Sequence, residues 1–328
     1  MNDFGKLFKV SLYGASHNEV IGVLIDGVPA GLKIDLEEMK KDLARRKPQS
    51  ISETARVEDD DPIIKSGLFN GFTNGTPLVI EFQNKNTKSA DYAEFVHHPR
   101  PGQVDFVANK KYHGFNDYRG AGMFSGRLTT LIVAAGYVAK QVANFKYESK
   151  IIACGELDDL SQLDAYLNQI KAEGDSVGGI LKISVKDVPV GLGEPYFYST
   201  ESAISQILYS IGGVKGVSFG IGFDGLKLKG SEYNDLIIDK EGHTKTNNAG
   251  GINGGITNGN DLVVKVFVKP ISSIAKEQNT FDFESNSIEP LMIKGRHDAS
   301  IIKRVGVILE NAVAIALADL VLLNKAYQ

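Results

Sequence analysis

Between Arg100 and Arg127 the chain gathers three arginines, the lysine pair Lys110-Lys111 and five glycines, immediately ahead of an apolar helical pattern at Leu128 to Val142. Backbone N–H groups at a helix start, flanked by cations, make a natural seat for an anion, so the stretch from Arg100 to Thr130 reads as the floor of an anionic-ligand site. A second constellation is Gly14-Ala15-Ser16-His17-Asn18, a short loop between two alternating segments. A Ser-His pair fixed on rigid elements is placed for proton chemistry, and its other reading is a turn with a solvated histidine. Arg45-Arg46-Lys47-Pro48 adds more cations, which equally suit the last turn of a helix stopped by proline. The tail holds Lys294-Gly295-Arg296-His297-Asp298 ahead of the final helix.

The elements that must carry these residues follow from periodicity. Lys6 to Tyr13 and Val20 to Ile25 alternate as strands around the Ser-His loop. Asp35 is an N-cap for a helix over Leu36 to Arg45, and the acidic run Glu58 to Asp61 reads as exposed loop. Ile63 to Phe69 and Pro77 to Phe82 read as paired strands. Leu128 to Val142, Ser199 to Ile211 and Arg304 to Leu323 read as helices with buried faces. Gly179 to Val188, Val214 to Phe223 and Leu262 to Val268 read as strands. Val28-Pro29-Ala30-Gly31-Leu32 and Val188-Pro189-Val190-Gly191-Leu192 each follow a strand that ends in aspartate, which points to an internal pseudo-twofold. Gly220 to Gly225 matches the dinucleotide fingerprint, but alternating strand and turn, rather than a helix, is expected after it.

Composition excludes several classes. With 328 residues, 42% hydrophobic and 23% charged, the chain is globular, and no linker-like stretch divides it. The formal charge of −4 gives no bias toward nucleic acid or an anionic membrane, so any cationic site is local. Cys154 is the only cysteine, which leaves no intramolecular disulfide and no cysteine-based metal site, and a reducing cytoplasm fits. No segment is read as reaching the roughly 18 apolar residues of a membrane span, and the N-terminus has no signal-peptide pattern.

The blocks Gly14-Ala15-Ser16-His17, Ile21 to Gly27, Arg45-Arg46-Lys47-Pro48, Arg100-Pro101-Gly102, Asp117-Tyr118-Arg119-Gly120, Ala249 to Ile256, Lys269-Pro270 with Ser272-Ser273, and Gly295-Arg296-His297-Asp298 occur in one order over nearly the whole chain. In that set and order the sequence resembles the chorismate synthase family. The resemblance implies a single α+β domain over residues 1–328, a β-α-β sandwich with helices between antiparallel sheets, usually assembled as a homotetramer. It implies that 5-enolpyruvylshikimate 3-phosphate loses phosphate and a ring proton in a 1,4-elimination that yields chorismate for aromatic amino-acid biosynthesis. Reduced FMN is required although the net reaction is redox-neutral, with NADPH a candidate reductant and a separate flavin reductase a candidate partner.

By the same resemblance, Arg46, Arg56, Arg100, Arg127 and Arg296 hold the substrate's anionic groups, and His17, Asp298, Ser16 and Ser125 handle or relay protons. Met123, Phe124, Ser125, Gly212, Gly213, Gly254, Lys269, Pro270, Ile271, Ser272, Ser273 and Arg296 line the flavin. No metal is implied. Family members generally carry a second catalytic histidine where this chain has Gln103, and an arginine near Ile51. Glutamine can hydrogen-bond a flavin but cannot supply a proton at neutral pH. His97 or His98 is a candidate substitute, and adjacent histidines before a proline are also ordinary loop residues. Three readings follow: an active enzyme with an altered proton route, a binding paralogue for FMN or a phosphorylated ligand without turnover, and a flavin oxidoreductase.

Overall fold

The computed structural model describes residues 2–48, 50, 53, 59–85, 92–295 and 297–327. Arg56, Arg296 and Ile51 lie outside the described residues.

The first half runs through β1 (Asp3–Phe4), β2 (Lys9–Gly14), β3 (Val20–Asp26), α1 (Leu36–Arg45), β4 (Ile63–Ser66), the small hairpin β5 (Leu68–Phe69) and β6 (Phe72–Thr73), β7 (Leu78–Gln83), α2 (Asp105–Lys111) and α3 (Thr129–Val142). The second continues with β8 (Lys146–Cys154), α4 (Leu163–Ala172), β9 (Gly179–Lys186), α5 (Thr200–Ser210), β10 (Val214–Phe219), α6 (Gly230–Tyr233), the hairpin β11 (Ile252–Asn253) and β12 (Ile256–Thr257), β13 (Leu262–Val268), the hairpin β14 (Gln278–Asp282) and β15 (Ser287–Leu291), and α7 (Ile302–Ala326). Two antiparallel sheets form, in the orders β1-β2-β3-β7-β4 and β10-β13-β9-β8. Helix α3 packs toward the first sheet and α5 and α7 toward the second, with α3 against α7 in the middle and α1 laid against α3.

The halves repeat one path. In the first sheet the chain fills β2-β3-β7-β4, and in the second β8-β9-β13-β10, the same sequence of placements. The repeated Val-Pro-x-Gly-Leu segments explain how. Thr73 Oγ1 donates to the Pro29 carbonyl at 2.6 Å and accepts from Leu32 N at 2.9 Å, while Thr257 Oγ1 makes the same two bonds to Pro189 and Leu192 at the same distances. Each segment is thereby stapled to its own small hairpin, and the buried turn has its backbone groups satisfied. The duplication expected from five residues is therefore carried by whole sheets. Among the described residues β1 has no counterpart beside β8, which is an edge strand.

Alternation on each strand gives the sandwich its inner faces. Leu262, Val264, Val266 and Val268 on β13 are buried, as are Ile21, Val23 and Ile25 on β3. Asp35 caps α1 by accepting from Glu37 N and Glu38 N, and Met39 and Leu43 turn inward. Ser199 caps α5 through Ser202 N. Gly136 on α3 meets Asn311 on α7 so closely that a Cβ there would stand 2.2 Å from the Asn311 Cβ. Only glycine allows this crossing.

Two expectations are corrected. Helix α7 is long and apolar enough to span a membrane, although the sequence reading found no such segment; it is the core helix, buried over nearly its whole length between the sheets. The glycine segment itself runs into a short 3-10 helix over Gly222–Lys227, and the one-turn helix α6 follows at Gly230–Tyr233 in place of alternating strand. Neither gives a long helix with an N-terminus at the glycines, so the dinucleotide geometry is absent there. Gly136→Ala should force α3 from α7 and cost about 1–3 kcal/mol of stability, the usual range for overpacking. Urea denaturation with an unshifted midpoint would contradict this close packing.

Candidate active site

Two adjoining cavities open where α3 and α7 begin. They share Ser125, Gly126, Thr129, Ile211, Gly212 and Ile301 as a common wall. Ser125 Oγ accepts from Arg127 N at 3.3 Å at the turn that leads into α3, and Ile301 immediately precedes α7. Ser300 Oγ likewise accepts from Ile302 N at 3.3 Å at the start of α7, so two capped helix N-termini face the same wall, each contributing partial positive charge.

The smaller cavity, of about 260 Å³, is lined by Arg46, Lys47, Arg127 and Arg304 together with Asp60. Buried Asp60 accepts from Arg46 Nη2 at 2.8 Å and, through its other oxygen, from Arg127 Nη1. Arg127 is also held by Asn84 Oδ1 at 3.0 Å, Thr130 Oγ1 at 3.1 Å and the Gln83 carbonyl at 3.3 Å. Arg304 pairs with Asp298, and its Nε lies 3.8 Å from Glu53 Oε1. Burial pushes the Arg46 guanidinium down from its ordinary range; Asp60 opposes this, while Arg127 and Arg304 add repulsion. Arg46 Nε is buried with no acceptor among the described residues. A donor so placed, among crowded cations, suits an entering phosphate or carboxylate.

The larger cavity, of about 880 Å³, lies within the ligand-pocket range of roughly 300–1,000 Å³. Its apolar walls include Leu128, Ile132 and Ile207, and its polar end carries Lys215 and Lys269. Lys269 Nζ donates to the Gly102 carbonyl at 3.1 Å and Ser272 Oγ at 2.6 Å. Burial, then the neighbouring Lys215, hold its pKa below the usual lysine range. Gln103 Nε2 donates to Ser273 Oγ at 3.0 Å, so the loop at Gly102-Gln103 is tied to the segment at 269–273. Apolar walls for a ring system and paired lysines for an anionic tail are a donor set that fits a phosphorylated planar cofactor such as FMN.

Ser16 and His17 meet the turn that precedes Met123, where Ser16 N donates to the Gly122 carbonyl at 3.1 Å. Ser16 Oγ lies 3.0 Å from His17 Nδ1 and also reaches the Gly120 and Arg119 carbonyls at 3.0 and 3.2 Å. The His17 ring meets Tyr92 edge-on at 5.4 Å. The backbone passes over the imidazole at Gly120, φ +57°, where a Cβ would stand 2.4 Å from His17 Cε1. From there it runs directly to Met123 and Phe124.

The sequence-derived residues therefore divide. Arg46 and Arg127 line the smaller cavity, Ser125 and Gly212 line both, and Gln103, Met123, Phe124, Gly213, Lys269, Pro270, Ile271 and Ser272 line the larger. Ser273 reaches it through Gln103, and Asp298 reaches the smaller cavity through Arg304. Ser16, His17, Arg100 and Gly254 line neither. Arg100 spends its fork on Asp105, with Nε and Nη2 each 2.8 Å from a carboxylate oxygen, and lies over Phe95; Gly254 forms the turn between β11 and β12. Sequence reasoning missed Arg304, Lys215 and Asp60. Asp60, expected in an exposed loop, is buried because two arginines converge on it. Its available signal was the acidic run following a basic helix end.

Arginines fixed by buried carboxylates at the mouths of two core helices, on an α+β sandwich, define an enzyme site for a small polyanion. The family model for chorismate synthase matches residues 8–322. A chorismate synthase from Chitinophaga pinensis is 49% identical over 325 residues, covering 99% of this chain and 98% of that protein. One from Pyrococcus abyssi is 38% identical over 351 aligned residues, with the same coverages. A crystal structure of chorismate synthase superposes with a TM-score of 0.73 at 24% identity, over 98% of this chain and 93% of that one, and shows the same fold. The chain belongs to the chorismate synthase family, lyases of the shikimate pathway. These relationships give the binding-paralogue alternative no support.

Asp60→Ala should leave Arg46 and Arg127 facing each other unpaired and cost about 3–5 kcal/mol of stability. Inorganic phosphate should raise the Tm of that variant more than that of the parent. Equal shifts in a thermal melt would mean that the arginines do not bind the anion.

Proposed function

We propose that the smaller cavity takes the phosphate and carboxylates of 5-enolpyruvylshikimate 3-phosphate, and that the larger takes reduced FMN beside it. The observation that carries this reading is the shared wall: one cavity rich in guanidinium groups touches one that is apolar with a lysine end. When bound, reduced FMN supplies electron density to the allylic system from which phosphate departs. The protein's residues do the rest. Arg46, Arg127 and Arg304, with the two helix N-termini, stabilise the charge that grows on the leaving phosphate. Asp60 and Asp298 hold those guanidiniums in place; Arg46 keeps its Nε–H for an anion, and Arg127, with four of its five N–H groups bonded to protein, keeps one on Nη2.

Ser16 and His17 form a proton-handling pair, and Ser16 fixes the ring by hydrogen bonding to Nδ1. By resemblance His17, which lines neither cavity, is assigned to the leaving group, and Asp298, which meets the smaller cavity through Arg304, to proton removal. Gln103, tied to Ser273, supports the flavin through hydrogen bonds and not as an acid. Arg100 contributes through the packing of the loop, since Asp105 occupies its fork. Arg56 and Arg296 are assigned to substrate and flavin by resemblance. We further assign a homotetramer, a cytoplasmic location, and reduction of the flavin by NADPH, directly or through a separate reductase.

With reduced FMN under anaerobic conditions, the purified protein should release phosphate from 5-enolpyruvylshikimate 3-phosphate and form chorismate. FMN binding without phosphate release would sink the enzyme reading, and stoichiometric consumption of nicotinamide nucleotide with product would favour the oxidoreductase. Gln103→His should raise kcat about tenfold if that position lacks a useful proton donor. An unchanged kcat would place the proton elsewhere. Because Lys269 must be protonated to attract phosphate, FMN affinity should be full below its depressed pKa and weaken as pH rises through it, at lower pH than for an ordinary lysine. Lys269→Met should flatten that fall; a fluorescence titration with the same pH profile in both proteins would contradict it.

A further inference from the structure

We propose that Asp319, in the C-terminal part of α7, is a positioning residue that clasps the N-terminal hairpin so that Asn2, Asp3 and Phe4 form a wall of the larger cavity. The inference rests on reading that cavity as the flavin site.

Asp319 is fully buried, in a stretch of α7 otherwise made of alanine, leucine, isoleucine and valine. A carboxylate there is tolerated only if its lone pairs are engaged. They are: Oδ1 accepts from Leu7 N at 2.7 Å and Phe8 N at 2.9 Å, Lys6 N lies 3.0 Å from both oxygens, and the Tyr198 hydroxyl donates to Oδ2. Lys6 Nζ lies 3.9 Å above the Tyr198 ring and closes the arrangement from outside. Three successive amides converging on one carboxylate make a concave anion-binding turn.

That turn is shaped for the contact. Gly5 has φ +95°, and a Cβ there would stand 2.0 Å from the Phe8 carbonyl oxygen. The strand it holds is short: β1 pairs with β2 only through Asp3↔Ser11 and Phe4↔Val10, with Leu12 N donating to the Asn2 carbonyl at 2.9 Å. A two-residue edge strand at a chain terminus frays unless tied down. Among the described residues the second half has no strand in the equivalent place, so β1 stands outside the repeated path. It lies on the side that borders the larger cavity, where Asn2, Asp3 and Phe4 form part of the lining. The clasp therefore links a core carboxylate to the wall of a ligand site that it does not itself touch.

The test is hydrogen–deuterium exchange over residues 2–8 together with FMN titration of the full-length Asp319→Asn and Tyr198→Phe variants. Exchange at residues 2–8 should accelerate while the central amides of α7 stay protected. The Kd for FMN should rise about tenfold in Asp319→Asn, the factor matching one lost charge-assisted hydrogen bond, and by less in Tyr198→Phe. At saturating FMN, kcat should stay within about twofold of the parent, since no reacting group is touched. Should Asp319→Asn fail to fold, Tyr198→Phe carries the same readouts. Unchanged exchange at residues 2–8, or a freed strand with unchanged FMN Kd, overturns the proposal. A parent protein that binds no FMN would overturn the flavin reading instead, and exchange alone would then decide the clasp.

Discussion

The crossing of α3 and α7 at Gly136 and Asn311 is the constraint on which the rest of the molecule depends. At that point one helix offers no side chain and the other presses its backbone into the gap. The close approach helps set the sandwich's thickness, since one sheet packs over α3 and the other over α7. Both helices begin beside the same wall, so their aligned peptide dipoles reinforce one another at a single place. An anion site there is a product of core packing before any arginine is considered.

The arginines then face a problem of like charge. Arg46, Arg127 and Arg304 border one cavity, and burial opposes ionisation of Arg46. Asp60 lies between two of them and Asp298 and Glu53 beside the third. Each carboxylate reduces repulsion in the empty site while fixing the direction of a guanidinium. A polyanion entering the cavity meets donors already oriented, which lowers the reorganisation required at the moment of reaction.

Much of the frame was legible from periodicity. The limits of α1 and its aspartate cap followed from spacing and residue type, as did the serine cap of α5 and the alternation of β13. Two Val-Pro-x-Gly-Leu segments announced a repeat, though not the threonines at 73 and 257 that fasten them, because those lie more than forty residues away in sequence. Helix α7 escaped the span test because its few polar residues interrupt the apolar run. The cavity chemistry was harder to read. Arg100 and Arg127 look alike in sequence, yet Asp105 takes the fork of one and the cavity borders the other. Asp60 looked like solvated loop, and only the arrival of two arginines from distant elements makes it a buried anchor.

The repeated sheet path also bears on how such a site could arise. Each half supplies one core helix, one small stapled hairpin and one part of the shared wall, and neither half contains the cleft. A half-length chain of either kind would possess the scaffold but could assemble the cleft only by pairing. Within the repeated path the two halves carry different chemistry, Ser16, His17 and β1 on one side and the lysines at 215 and 269 on the other. The symmetry survives in the backbone, whereas the chemistry lives in the differences between the copies.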